Sequence, residues 1–271
     1  MTTSTVRAAA LQLWLPVLVV AALFVATANS GSYYFPPLTE VLAALVDAFV
    51  GGGLLDDLLF SMRNVLVGLA IAIVVGVGLG VVIGESDRLR VACQPFLDLM
   101  RSTPMVAFVP VFILTFGIGS APKVLLIAIG ATWPILWNTI AGVHGISPAV
   151  RESVRSYRIP AGLRLRKVLL PGASPQIFAG IRISLAVSLV LMIVSEIYGS
   201  PNGLGNFVLV AGNSFRVTDT WAGTILIGVI GYLMTLVLIA VEHRVLGWAR
   251  QRPPRERRAA GARVPAGKVA A

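Results

Sequence analysis

Residues 142–175 read GVHGISPAVRESVRSYRIPAGLRLRKVLLPGASP, the one long, strongly charged segment inside an otherwise apolar chain. Arg151, Arg155, Arg158, Arg164, Arg166 and Lys167 stand there against a single acid, Glu152. A hydrophobic run lies on each side. Ser147 suits an N-cap and Pro148 the first helical position. Val150, Val154 and Tyr157 then recur at i, i+4 and i+7, with Arg151, Arg155 and Arg158 about 100° around the axis at the same spacing. The pattern predicts a short amphipathic helix from Ser147 to about Ile159, ended by Pro160, which biases the residue before it away from helix. Such a helix either lies on lipid headgroups or inserts its apolar stripe into a partner.

The flanking runs decide the class. Of 271 residues 56% are hydrophobic and 13% charged, against roughly 25% charged in soluble domains. Spans are predicted near 11–30, 58–84, 103–118, 122–142, 177–198 and 219–242, since about 20 apolar residues cross the hydrocarbon core as a helix. The fold class is therefore all-α, a polytopic membrane protein with six transmembrane helices. The run 103–118 is short and carries Pro104 and Pro110, which predicts a kinked or partly irregular helix packed inside protein. The first run resembles a signal peptide, but Ala26-Thr27-Ala28 is a weak cleavage site and five spans follow, so it reads as a retained helix.

The net charge of +10 does not indicate nucleic acid, because the basic residues sit between apolar runs and in the tail, as topology signals do. With both termini inside, the cytoplasmic side receives Arg7, then Arg88, Arg90 and Arg101, then the 142–175 segment, then eight basic residues from Arg244 to Lys268. The loop 31–57 has no Lys or Arg; Lys123 and Arg216 fall in the other external loops. Tyr33, Tyr34 and Phe35 mark a membrane edge, and residues 38–50 read as a short helix on the outer surface, stopped by Gly51-Gly52-Gly53. The chain divides into an N-terminal helix and external loop (1–57), a core (58–245) and a basic tail (246–271) read as disordered.

No motif indicates catalysis. Gly76, Gly80 and Gly84, four apart, form a smooth helix face for close packing; the dinucleotide-loop reading of that stretch lacks its strand. The tail segment GARVPAGK has the wrong spacing for a phosphate loop and Val269 where Ser or Thr is needed. His144, His243 and the single Cys93 form no metal cluster. Intramembrane polar residues include Trp133, Trp137 and Asn138 in the fourth span, beside Pro134, and Ser184, Ser188, Ser195 and Glu196 in the fifth. They serve either interhelical hydrogen bonding or the lining of a translocation path.

The run from Arg101 to Pro148 carries Pro104, Pro110, Phe116-Gly117-Ile118-Gly119, Lys123, Pro134, Asn138 and Gly142. Downstream come Glu152, Val168-Leu169-Leu170-Pro171, Gly180-Ile181-Arg182 and Gly203-Leu204-Gly205. Together they resemble the permease subunits of ABC importers of the nitrate, sulfonate and taurine group, over roughly 58–245. The resemblance implies a type I importer fold and a membrane dimer of two permease copies. It also implies two cytoplasmic ATPase subunits that hold ATP and magnesium, an extracytoplasmic solute-binding protein, and residence in the bacterial inner membrane, with no cofactor in this chain. By the same resemblance, Val150, Arg151, Glu152, Ser153, Val154, Arg155, Tyr157, Arg158, Gly162, Leu170 and Pro171 form the ATPase-coupling loop. The sequence departs from the family pattern at Ser153 and Val154, where alanines are usual, and at Arg158, where glycine is usual; Gly162 offers a turn at a different position. Two other classes stay open. An ion-coupled secondary transporter would show inverted repeats and midplane ionisable residues, and a membrane scaffold would transport nothing.

Overall fold

The computed structural model describes residues 31–247 and, before them, Trp14, Leu18 and residues 20–22 and 24–28. Most of the predicted span 11–30, Arg7, and the tail from residue 248 onward, including Lys268 and the GARVPAGK segment, lie outside the described residues.

Helix α1 (Leu38–Gly51) starts directly after Pro36-Pro37 and stops at Gly52. Gly53, at φ 71, turns the chain into α2 (Leu54–Glu85). Rather than lying alone on a surface, α1 packs Leu45, Ala48 and Phe49 against Leu54, Leu226 and Ile230. Ser86 then caps α3 (Asp87–Ser102), its hydroxyl accepting from the Leu89 amide at 3.4 Å. A 3-10 turn (Met105–Phe108) leads into α4 (Val109–Phe116).

The span at 103–118 is irregular, as its prolines predict, but a helix that the sequence reading did not give precedes it. Residues 87–102 are helical, and the chain bends by 78° between α3 and the segment Met105–Phe116. Pro104 lacks an amide proton and stands at the bend in extended conformation, which stops α3 from continuing. Pro110 sits in the first turn of α4, where no helical hydrogen bond is lost.

Gly117 (φ 77) and Gly119 (φ 147) make the turn into α5 (Ser120–His144). After α6 (Pro148–Ser156) comes α7, which runs as one helix from Ala161 to Gly199. A π turn at Leu165–Leu169 interrupts it just before Pro171. At 1.5 Å per residue these 39 residues extend about 58 Å, well beyond a hydrocarbon core of about 30 Å. The chain closes with α8 (Leu204–Asn213) and α9 (Val217–Val245). The edge aromatics brace its last turn: Tyr33 donates to the Phe215 carbonyl, and Trp221 Nε1 donates to the Tyr34 carbonyl at 3.0 Å.

Helix α5 lies between α2 and α7. Glycines on both neighbours let the backbones approach. A Cβ on Gly76 would come 2.9 Å from the Ile135 side chain, one on Gly80 2.5 Å from Thr139, and one on Gly84 3.0 Å from Val143. The face with spacing four is therefore a packing face, as its pattern predicts. On α7, Gly180 meets Asn138 and the Pro134 carbonyl in the same way. Ala72, Ala131, Ile135, Val143, Ala173 and Ile181 fill the space between the three helices.

Four helices among the described residues, α2, α5, α7 and α9, are long and apolar enough to cross a membrane, and the bent pair containing α3 and α4 makes five. The sixth span of the sequence reading is the one at 11–30. Lys123 corrects the reading of its region as an external loop: it lies in α5, 2% exposed, and donates to the Gly119 carbonyl at 2.6 Å.

Candidate functional site

The charged segment forms a compact device at one end of the bundle. Pro148 opens α6 after Ser147, whose hydroxyl makes no capping bond, so the N-terminus relies on proline's fixed φ. The helix stops at Ser156, three residues before the predicted end. Arg158 lies at φ 47, its amide donates to the Arg155 carbonyl at 3.0 Å, and the Ile159 amide donates to Val154 at 3.1 Å. These two bonds with a left-handed residue between them are a Schellman cap. Arg158 itself thus takes the conformation that favours glycine. Gly162 does not replace it, since it belongs to the first turn of α7.

One side-chain contact ties α6 to a span: the Arg151 guanidinium donates to the carbonyls of Val143 (2.7 Å) and His144 (3.1 Å) at the C-terminal end of α5. Beside it, Arg164 in the first turn of α7 pairs with Glu85 at the end of α2. The predicted stripe is split. Val154 is 8% exposed and lines a small cavity with Val143, Ile146 and Leu169, whereas Val150 is 42% and Tyr157 82% exposed. Glu152, Ser153, Arg155 and Arg158 are exposed beside them. Leu170 and Pro171 lie inside α7, half-buried, with Leu170 against the central core. The surface left open on α6 is therefore Val150, Glu152, Ser153, Arg155 and Tyr157.

At the other end of the bundle, Glu196 is fully buried and accepts from the Ser61 hydroxyl at 2.8 and 2.9 Å and from the Gly205 amide at 2.9 Å. Ser61 in turn accepts from the Leu204 amide at 3.0 Å, and Asp57 accepts from Gly203 at 2.6 Å. Three successive amides at the start of α8 are thus satisfied by side chains from α2 and α7. Carboxylates at a helix N-terminus also meet the positive end of its dipole. Lys123 is close enough to Glu196 for their charges to interact. Asp57 and Ser61 carry no motif in the sequence; only the fold brings them to Glu196.

The remaining path candidates divide. Ser184 donates to the Ala131 carbonyl of α5 at 2.6 Å, Ser188 to Ser184 at 2.7 Å and Ser195 to Met192 at 2.9 Å, all buried. Asn138 donates to the Pro134 carbonyl at 2.8 Å and packs on Gly180. Trp133 instead lines an apolar groove of about 410 Å³ between α3, α5 and α7, with Trp137, Met105, Val187, Val190 and Leu191. Phe96 sits edge-on to Trp133 at 5.9 Å, and Arg101 lies 5.6 Å from the Trp137 ring centre.

Residues 72–247 match the family described as binding-protein-dependent transport system inner membrane component. The chain belongs to that family. The permease is 32% identical over 212 residues to the putative aliphatic sulfonates transport permease protein SsuC of Bacillus subtilis (strain 168), covering 78% of this chain and 76% of that one. It is 30% identical over 220 residues to the taurine transport system permease protein TauC of Escherichia coli (strain K12), covering 79% and 80%. Its fold is that of a chain of the MetNI methionine ABC transporter in an inward-facing conformation: the TM-score is 0.62 at 19% identity, over 71% of this chain and 95% of that one. The permease is thus an all-helical inner-membrane transport subunit of the family.

Proposed function

We propose that this permease works as a dimer, driven by two separate ATPase subunits that bind ATP and magnesium and loaded by an external solute-binding protein. The solute class is a small anion of the nitrate, sulfonate and taurine kind. The observation that carries the reading is the mounting of α6. Its exposed face of Val150, Glu152, Ser153, Arg155 and Tyr157 is free for a partner, while Arg151 fastens it to the end of α5 and Val154 packs beneath it on Val143 and Leu169. A push on α6 by a closing ATPase dimer therefore moves the end of α5 directly and reaches α2 through the first turn of α7, where Arg164 pairs with Glu85. Two states biased by contacts at a distant site is what coupling requires.

In this reading α6 and both termini face the cytoplasm, and α1 and α8 face outward, which agrees with the concentration of Arg and Lys at 142–175 and its absence at 31–57. Glu196, Ser61 and Asp57 hold α8 in place, and the serines of α7 serve packing. Reconstitution of the permease with its ATPase and binding protein in vesicles tests the function: uptake that needs all three components and ATP supports it, and uptake driven by an ion gradient without the ATPase would show a secondary transporter.

A further inference from the structure

The polar residues of α3 form a stripe. Asp87, Arg90, Gln94, Asp98 and Arg101 stand at i, i+3, i+7, i+11 and i+14, which keeps them on one face. They are exposed or half-exposed, while Leu97, along the edge of the stripe, is buried against Leu136 and Ile140 of α5 and sets that edge against the helix. Arg90 pairs with Asp87 at 3.3 Å, and Gln94 donates to the Asp98 carboxylate at 3.0 Å without neutralising it. Arg101, at the inner end, has no ion-pair partner among the described residues; its guanidinium lies instead over the Trp137 ring.

Depth makes this unusual. His144 ends α5 and stands 3.8 Å from Asp87, so α3 leaves the loop end of the bundle beside it. Trp137 is seven residues before His144, about 10 Å along the helix. Where α5 crosses the membrane, a cation at Trp137 lies within the length of that span, where ionisable groups face protein or a water-filled cavity and mark solute pathways. Next to it the groove offers apolar walls of Met105, Val187, Val190 and Leu191, and the buried Trp133 indole N–H has no hydrogen-bond partner.

We propose that Arg101 and Trp137 form an anion subsite on the translocation path, suited to a small organic anion such as an alkanesulfonate. The sulfonate meets the guanidinium and the alkyl body lies in the groove; the polar stripe of α3 continues the path toward α6. A charge-assisted hydrogen bond to the anion supplies the recognition, and lysine, a compact cation without the planar fork, replaces arginine only in part. This deepens the permease reading and rests on it.

The test uses the complete importer in vesicles with ethanesulfonate as probe. Arg101→Ala is expected to lower uptake at least about tenfold, the scale of one lost charged hydrogen bond, with ATPase assembly intact and Arg101→Lys in between. In a Cys93→Ser background that keeps Arg101, Val190→Cys in the groove is expected to react with a sulfonate-bearing thiol reagent, and ethanesulfonate is expected to slow that reaction, the slowing being lost when Arg101→Ala is added. Wild-type uptake by Arg101→Ala, or a thiol whose reaction ignores ethanesulfonate, overturns the subsite. So does loss of the permease dimer in Arg101→Ala, which would make this face a contact between copies. If wild-type vesicles take up no ethanesulfonate while the probe still slows the reaction, the subsite stands and the transported solute is different.

Discussion

The amide of Ile159 donates to the carbonyl of Val154 at 3.1 Å, closing the end of α6 around Arg158 at φ 47. The geometry is one that glycine adopts freely and a residue with a Cβ adopts at a cost of about 1–2 kcal/mol. The backbone follows the glycine pattern although the side chain does not.

Arg158→Gly is therefore expected to stabilise the loop, by about 1 kcal/mol less the entropy that glycine adds to the unfolded chain. Amide exchange of residues 148–159 should slow and transport should persist. Faster exchange would mean that the arginine side chain contributes more than its backbone strain costs.

The ion pair between the first turn of α7 and the end of α2 predicts a charge-swap result. Arg164→Glu should weaken the coupling of ATP hydrolysis to uptake, and adding Glu85→Arg should restore part of it. Hydrolysis and uptake measured together on the single and double variants check this; two independent losses would show that the pair does not act as a tie.

Glu196→Ala leaves the Ser61 hydroxyl and the Gly205 amide without their acceptor in a buried place. Each unsatisfied group costs about 1–3 kcal/mol, so the midpoint of thermal inactivation in detergent should fall clearly. Glu196→Gln, which keeps one acceptor oxygen, should fall less. Equal stability of Glu196→Ala and wild type would remove this cluster from the account of α8.

Gly80→Val should impair folding, because even a Cβ there would meet Thr139 at 2.5 Å, and overpacking costs about 1–3 kcal/mol or more. Gly78→Ala, with nothing within 4 Å, should be tolerated. Yield of monodisperse protein for the pair decides the point.

The long apolar helices, the glycine face of α2 and the amphipathic segment at 148–156 were legible because each is written as a local period. What the period could not give was which side faces its own chain. Val150, Val154 and Tyr157 share a stripe, yet Val154 turns inward because the ends of α5 and α7 happen to stand beneath it. Arg101 and Lys123 read as loop charges, since the breaks at Pro104 and Gly119 look like span ends; the fold instead runs a polar helix beside α5 and draws Lys123 into the bundle. The side-chain partner of Glu196 is 135 residues away at Ser61, a distance at which no spacing rule operates.

The central claim is that α6 is the seat of the ATPase. It is tested most directly by Tyr157→Cys in a Cys93→Ser background, probed with a short thiol cross-linker and a membrane-impermeant thiol reagent in the assembled transporter. The account predicts a cross-link from this position to the ATPase subunit and protection from the reagent that disappears when the ATPase is stripped away. Labelling at the same rate with and without the ATPase, and no cross-link, would contradict it.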